Sequence, residues 1–270
     1  MVDAKATTTS VSFLGYFPKK VTVHPGDAVV FEEVFTGEPH SVTLGTLVDQ
    51  VLSKSTPEDT TEPPELQKIP VMLPEGPGDA VQAAAQPCFL AAGDPPLSDP
   101  CTTDQQKAMP FTGTETFVNS GFLADGEEFK LELAKDIKPG TYNYFCNLHR
   151  AGMTGQITVV SADTKAQTSD EVLRARDSEL AAAQAKIKST VETIKGGSLP
   201  PFVSKVAPGS VIAGGGSQEQ PEAVPVLFGP ARTSIKVGEA VTWTVVGPHT
   251  ISFGASEALR TFISKAPDGS

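Results

Sequence analysis

The feature that most constrains the fold is a segment from Gly140 to Val160 that has the pattern of a strand, a tight loop and a second strand. Residues 141–145 alternate as a β-strand does, and residues 154–160 return as another strand. The loop between them has the spacing Cys-x2-His-x3-Met. It therefore brings a thiol, an imidazole and a thioether together within eight residues, namely Cys146, His149 and Met153.

This set of side chains is the one that a single-copper electron-transfer site requires, except for one histidine. Such a site has two histidines and a cysteine in a trigonal plane, with a weak axial methionine. His40, which follows Pro39 at the start of an alternating segment, can supply the missing imidazole through strand pairing. A lone cysteine or a lone methionine is usually core filling. Their combination instead predicts a copper site formed by His40, Cys146, His149 and Met153.

The same residues resemble the cupredoxins, or blue copper proteins, of the plastocyanin and amicyanin type. The resemblance covers residues 8–45 and 111–161, including the strand Lys-Pro-Gly-Thr-Tyr-x-Tyr-x-Cys that ends at Cys146 and the exit Gly-Met-x-Gly-x-Ile. It implies an all-β, Greek-key β-sandwich over residues 5–162 that holds one type 1 copper by the same four residues. Two departures are visible: Ser41 follows the first histidine where many relatives have asparagine, and the ligand loop is intermediate in length.

The charge of the chain is concentrated in its first part. The formal net charge is -11, and residues 1–160 contain 10 basic and 21 acidic side chains, whereas residues 161–270 contain 11 of each. An acidic field of this kind disfavours nucleic acid and anionic membrane surfaces and favours a basic redox partner protein. The same charge is also compatible with a simple contribution to solubility.

The remaining two cysteines, Cys88 and Cys101, predict a disulfide and hence an oxidising compartment; two free thiols are the alternative. No apolar run reaches membrane-spanning length, and the N-terminus lacks the apolar core of a signal peptide. We therefore expect a periplasmic, secreted or cell-surface protein whose export signal has been removed, or a piece of a larger gene product.

Residues 46–110 interrupt the strand pattern with a long insertion that is rich in proline and acidic residues and contains both of these cysteines. Such a length is unusual for an unstructured connection within a compact domain. The insertion is either a recognition or lid element near the copper edge or a decorated loop that one disulfide fixes. Long loops are tolerated at low entropic cost, which favours the second interpretation.

The second half of the chain begins with a predicted linker helix over residues 168–196. Thr168 and Glu171 form a capping box, and apolar residues then recur every seven positions in too poor a pattern for a coiled coil. We interpret the helix as a spacer or packing helix, followed by a flexible linker over residues 197–222.

Residues 223–270 repeat the opening of the first domain. The segment from Ile235 to Trp243, followed by Gly247-Pro-His249, echoes the segment from Val23 to Phe31, followed by Glu38-Pro-His40. No Cys-x2-His-x3-Met follows His249. We expect an incomplete second cupredoxin-like module, either truncated or completed by another chain, in which His249 belongs to an absent second site.

These patterns predict a soluble electron carrier rather than an enzyme, with Leu148, Arg150 and Ala151 at the rim of its docking surface. A multicopper oxidase or a copper nitrite reductase needs more histidines than the four in this chain. A fragment of such an enzyme, or a copper-binding structural protein of the cell surface, is the alternative.

Overall fold

The computed structural model describes residues 11–34, 39–55, 62–70, 83–124, 126–196, 210–214, 223–246 and 251–253. These residues belong to two compact units. One consists of Gly15–Val34 and Pro39–Asp177, and the other contains Met1–Leu14, Phe35–Glu38 and Ser178–Ser270. His249 lies outside the described residues, as does most of the predicted linker over residues 197–222.

The described strands, in chain order, are β1 (Val11–Phe13), β2 (Lys20–Val23), β3 (Ala28–Glu32), β4 (Thr43–Leu44), β5 (Cys88–Leu90), β6 (Phe117–Asn119), β7 (Glu128–Glu132), β8 (Gly140–Cys146), β9 (Arg150–Val159), β10 (Val211–Gly214), β11 (Ala223–Pro225), β12 (Phe228–Gly229) and β13 (Trp243–Val246).

The first unit is an all-β sandwich, as predicted. Its larger sheet has the strand order β2-β9-β8-β4-β6-β5, and its smaller sheet pairs β3 with β7. Most neighbours are antiparallel, but β2 and β9 run parallel. The chain passes between the two sheets four times along its course from β2 to β8, and β8 and β9 are adjacent interior strands of the larger sheet.

The main core lies between the two sheets. The apolar residues of β3 and β7, among them Phe31 and Leu131, pack against the inward face of the larger sheet, where Leu44, Tyr144 and Ile157 are almost completely buried. The Phe31 ring meets the Tyr144 ring edge-on at a centroid distance of 5.1 Å. This core forms because side chains alternate between the two faces of each strand, so that each sheet buries one apolar face.

The insertion contains ordered structure of its own. Helix α1 (Thr46–Lys54) starts directly after β4, a 3-10 helix covers Pro64–Lys68, and β5 joins the edge of the larger sheet beside β6. A second core forms where the buried side chains of α1 and Ile69 pack against Phe117 and Phe145. The predicted disulfide is present between Cys88 and Cys101, with Cα atoms 5.6 Å apart.

The second unit contains most of helix α2 (Ser169–Lys195), which starts at the predicted capping box. The Thr168 amide donates to the Glu171 carboxylate, and the Glu171 amide donates to the Thr168 hydroxyl. Five side chains of the helix are buried along one stripe, namely Leu180, Ala183, Ile187, Val191 and Ile194.

The strands of the second unit form two small sheets. Strand β10, which lies within the predicted linker, pairs with β12 and runs parallel to β13, and all four of its residues are buried. Strand β1 pairs with β11 and therefore belongs to this unit, although residues 5–162 were predicted to form the first domain. None of the described helices combines the length and the apolar character that crossing a membrane requires.

Candidate metal centre

The ligand loop connects two adjacent interior strands of the larger sheet. Strand β8 ends at Cys146 and β9 begins at Arg150, so His149 occupies the tight turn between them. The pairing runs from Phe145 opposite Thr154 directly to Cys146 opposite Arg150. Residues 151–153 of β9 therefore have no pairing partner on β8 and form an irregular bulge. The side chains of a bulge point in other directions than those of a regular ladder. Met153 lies in this bulge and is buried.

His40 reaches the same place from the neighbouring strand. It lies three residues before β4, which pairs antiparallel with β8 so that Thr43 faces Phe145. The backbone of His40 forms an isolated bridge with Leu123, and its carbonyl accepts a 2.8 Å hydrogen bond from the Leu123 amide. Strand pairing thus fixes His40 beside Cys146, as the sequence predicts.

Three of the four predicted side chains converge closely. One potential ligand atom from each of His40, Cys146 and His149 lies within 4.8 Å of the corresponding atoms of the other two. The Cys146 sulfur is 3.8 Å from Nδ1 of His40. The two imidazole rings have centroids 4.9 Å apart and are tilted by 54°. Within the part of the chain that the structure describes, this is the one such cluster of histidine, cysteine or acidic side chains.

These separations fit a metal ion in a trigonal plane. An ion about 2.3 Å from a thiolate sulfur and about 2.0 Å from an imidazole nitrogen, at trigonal angles, separates the two donor atoms by about 3.7 Å. The observed distance from the Cys146 sulfur to His40 Nδ1 is 3.8 Å. Thiolate and imidazole donors with a buried thioether nearby are the set that copper prefers for electron transfer.

The pKa of the Cys146 thiol is shifted in favour of the metal-binding form. Burial by itself raises the pKa, but hydrogen bonds from His149 and His40 and the charges of these two histidines lower it from 9.0 to about 5. The ionised thiolate is the form that binds a metal. The cluster therefore presents a deprotonated sulfur at neutral pH.

Ser41 connects the two segments that carry the ligands. Its amide donates to the Cys146 sulfur at 3.4 Å, and its hydroxyl accepts a 2.7 Å hydrogen bond from the Asn147 amide. The same hydroxyl is 3.2 Å from the hydroxyl of Thr43, which donates to the Asn119 side chain at 2.9 Å. Ser41, which stands where many relatives have asparagine, thus holds His40 and Cys146 in register through buried polar contacts.

The structure differs from the sequence-based prediction at Arg150. Its position beside His149 predicted a residue at the rim of the docking surface. Its guanidinium is instead turned inward, because Nε and Nη1 are buried and Nη2 donates to the carbonyls of Ile69 and Pro70. No local pattern signals this contact, since its acceptors lie about 80 residues earlier in the chain.

Part of the first unit is similar to a known protein family. Residues 100–160 match the family model of copper binding proteins of the plastocyanin/azurin family. That segment contains Cys146, His149 and Met153, which the geometry places beside His40. This match and the geometry of the site together support a cupredoxin for the first unit. Copper is the cofactor that they indicate.

One solved structure with similarity to the chain is auracyanin A, a blue copper protein from the green thermophilic photosynthetic bacterium Chloroflexus aurantiacus. The sequence identity is 15%, the match covers 54% of this chain and 89% of auracyanin A, and the TM-score is 0.26. No curated protein sequence matches the chain.

Proposed function

We propose that this protein is a one-electron carrier in which His40, Cys146 and His149 hold a type 1 copper and Met153 is its weak axial ligand. The observation that carries the proposal is the convergence of a thiolate and two imidazoles at separations suited to a trigonal site. When bound, copper supplies a one-electron couple. A carrier role, rather than catalysis, is what this donor set favours.

The protein's contribution is a rigid cage around the site. His40, Cys146 and Met153 are all buried, and the paired strands β8 and β9 and the Ser41 hydrogen bonds fix their positions. A cage that holds its side chains in place limits the reorganisation that accompanies a change of oxidation state. His149 is partly exposed and gives the site an edge through which a partner can exchange electrons.

The partner that we propose is a basic redox protein. The acidic excess of residues 1–160 favours long-range attraction of a positively charged partner, and complexes of redox carriers are small and transient. The disulfide between Cys88 and Cys101 supports an extracytoplasmic location, because such bonds persist in oxidising compartments.

The test combines colour and electron-transfer rate. Cys146→Ser and His40→Gln should each abolish the blue colour of the copper-loaded protein while leaving its β-sheet circular dichroism unchanged. His24→Gln is the matched control, because His24 is only partly buried and its ring contacts the Thr164 carbonyl rather than the cluster. Blue colour that persists in Cys146→Ser would place the ligands elsewhere.

Stopped-flow mixing with small one-electron reagents tests the carrier role directly. The blue protein should react reversibly, and a cationic reagent should react faster than an anionic one at low salt, with the difference shrinking as salt increases. Slow or irreversible exchange would instead favour a structural copper-binding protein.

A further inference from the structure

Arg150 occupies an unusual position for an arginine. It is the first residue of β9, directly after His149, and its backbone has a φ of 53°, in the left-handed region that non-glycine residues rarely adopt. Its Cζ lies 6.0 Å from the centroid of the buried Phe145 ring. Nε and Nη1 are buried, so the guanidinium is turned into the protein.

The contacts of this guanidinium connect the ligand loop to the insertion. Nη2 donates to the carbonyl oxygens of Ile69 and Pro70, each at 3.4 Å. Ile69 follows the 3-10 helix and is fully buried in the second core, where α1 and Phe145 also pack. The residue that follows His149 is thus bonded to the segment that packs against the end of β8.

The guanidinium also brings a positive charge close to the copper ligands. Burial lowers the pKa of Arg150 to about 10, and the negative charges of Glu62 and Cys146 oppose this shift. Arg150 therefore keeps its charge at neutral pH. Its hydrogen bonds to Ile69 and Pro70 go to neutral carbonyl oxygens, which do not cancel that charge. A cation near a metal stabilises the state with the lower metal charge, which for copper is the reduced state.

We propose that Arg150 is a positioning residue of the copper site, which fastens the insertion to the ligand loop and raises the reduction potential through its buried charge. The second part of this inference rests on the proposed function, and the first part does not. A unit charge about 10 Å from the metal at an effective dielectric constant of about 20 changes the redox equilibrium constant roughly tenfold or somewhat more. Tenfold corresponds to about 59 mV for one electron.

Two substitutions separate the charge from the hydrogen bonds. Arg150→Met removes both, and Arg150→Lys keeps the charge but loses the guanidinium Nη2 that donates to both carbonyls. Arg174→Met is the matched control, because Arg174 is an exposed arginine of α2. The reduction potential is measured on each copper-loaded full chain. Amide hydrogen exchange of Leu66 and Ile69 is measured on each metal-free full chain.

We expect Arg150→Met to lower the reduction potential by an amount that corresponds to a tenfold change in the redox equilibrium constant. Arg150→Lys should keep most of the wild-type potential, and Arg174→Met should leave the potential unchanged. Both Arg150 variants should accelerate exchange at Leu66 and Ile69 at least tenfold. An unchanged potential in Arg150→Met would overturn the electrostatic part. Unchanged exchange in both variants would overturn the fastening.

The two proposals fail in different ways. If the wild-type chain forms no blue site, the proposed function fails and the electrostatic part fails with it. The exchange measurement on the metal-free chain still decides whether Arg150 fastens the insertion. Global unfolding of Arg150→Met would show as accelerated exchange throughout the sandwich, in which case Arg150→Lys supplies the deciding comparison.

Discussion

The ionisation of Cys146 in the metal-free protein is a direct consequence of the site geometry. Burial of the thiol raises its pKa, but the hydrogen bonds and charges of His149 and His40 lower it from 9.0 to about 5. At pH 7 a thiol with a pKa of about 5 is about 99% ionised, whereas one with a pKa of 9.0 is about 1% ionised. The ratio of thiolate to thiol therefore changes by about four orders of magnitude.

The assay is a pH titration of the ultraviolet absorbance of the thiolate in the metal-free chain. Cys146→Ser, titrated in parallel, supplies the background, because Cys88 and Cys101 are joined in a disulfide and do not titrate. We expect a midpoint near pH 5. His149→Gln should raise the midpoint more than His40→Gln, because His149 makes the larger stabilising contribution.

The ionisation of the Cys146 thiol also determines how copper binding depends on pH. Because the thiol is already ionised at neutral pH, copper binding should release few protons from it, and protons should compete with copper for the sulfur itself only as the pH drops through about 5. A midpoint above about 8 in the wild-type chain would refute the reasoning, because it would mean that the two imidazoles do not stabilise the thiolate.

Three further predictions concern the surroundings of the metal. Met153→Leu should retain copper and raise the reduction potential, because a weak axial thioether is lost and the site becomes drier; voltammetry measures this. Ser41→Ala should lower the free energy of unfolding of the metal-free protein by about 1–3 kcal/mol in urea denaturation, because the buried Asn147 amide loses its acceptor. Gly155→Ala should cost about 1–3 kcal/mol in the same assay, because a Cβ would lie 2.3 Å from the ring of Tyr144.

Each substitution has a control or a contrary outcome. Ser53→Ala removes an exposed hydroxyl that bonds only locally to the Gln50 carbonyl, and it should leave stability nearly unchanged. Gly140→Ala adds a methyl group on β8 with no neighbouring atom closer than 3.9 Å and should also be tolerated. Equal losses in a control and its test variant would refute the packing argument. Complete loss of copper in Met153→Leu would mean that the axial ligand is essential.

The sequence predicted that His40, Cys146 and His149 lie close together, because two of these three residues belong to one short loop. Cys146 and His149 are separated by two residues, so a strand end and a turn are enough to bring them together. His40 was predicted from its place before a strand, and the pairing of β4 with β8 confirms that it reaches Cys146. The capping box of Thr168 and Glu171 is likewise a local pattern and is present.

Features that depend on distant contacts were not predictable in the same way. The inward turn of Arg150 depends on carbonyls of the insertion, and the pairing of β1 with β11 joins segments about 210 residues apart. Strand β10 lies in a stretch whose glycines predicted a linker, and it forms because β12 and β13 flank it. Propensity and periodicity report on neighbours in sequence, whereas these contacts are tertiary.

The most direct test of the copper site is a copper(II) titration of the metal-free full chain, followed by visible absorption and electron paramagnetic resonance. We predict that one equivalent of copper produces an intense blue colour with a narrow copper hyperfine splitting, as a trigonal site with a thiolate ligand requires. A colourless product, or the spectrum of ordinary tetragonal copper, would show that His40, Cys146, His149 and Met153 do not bind the metal together.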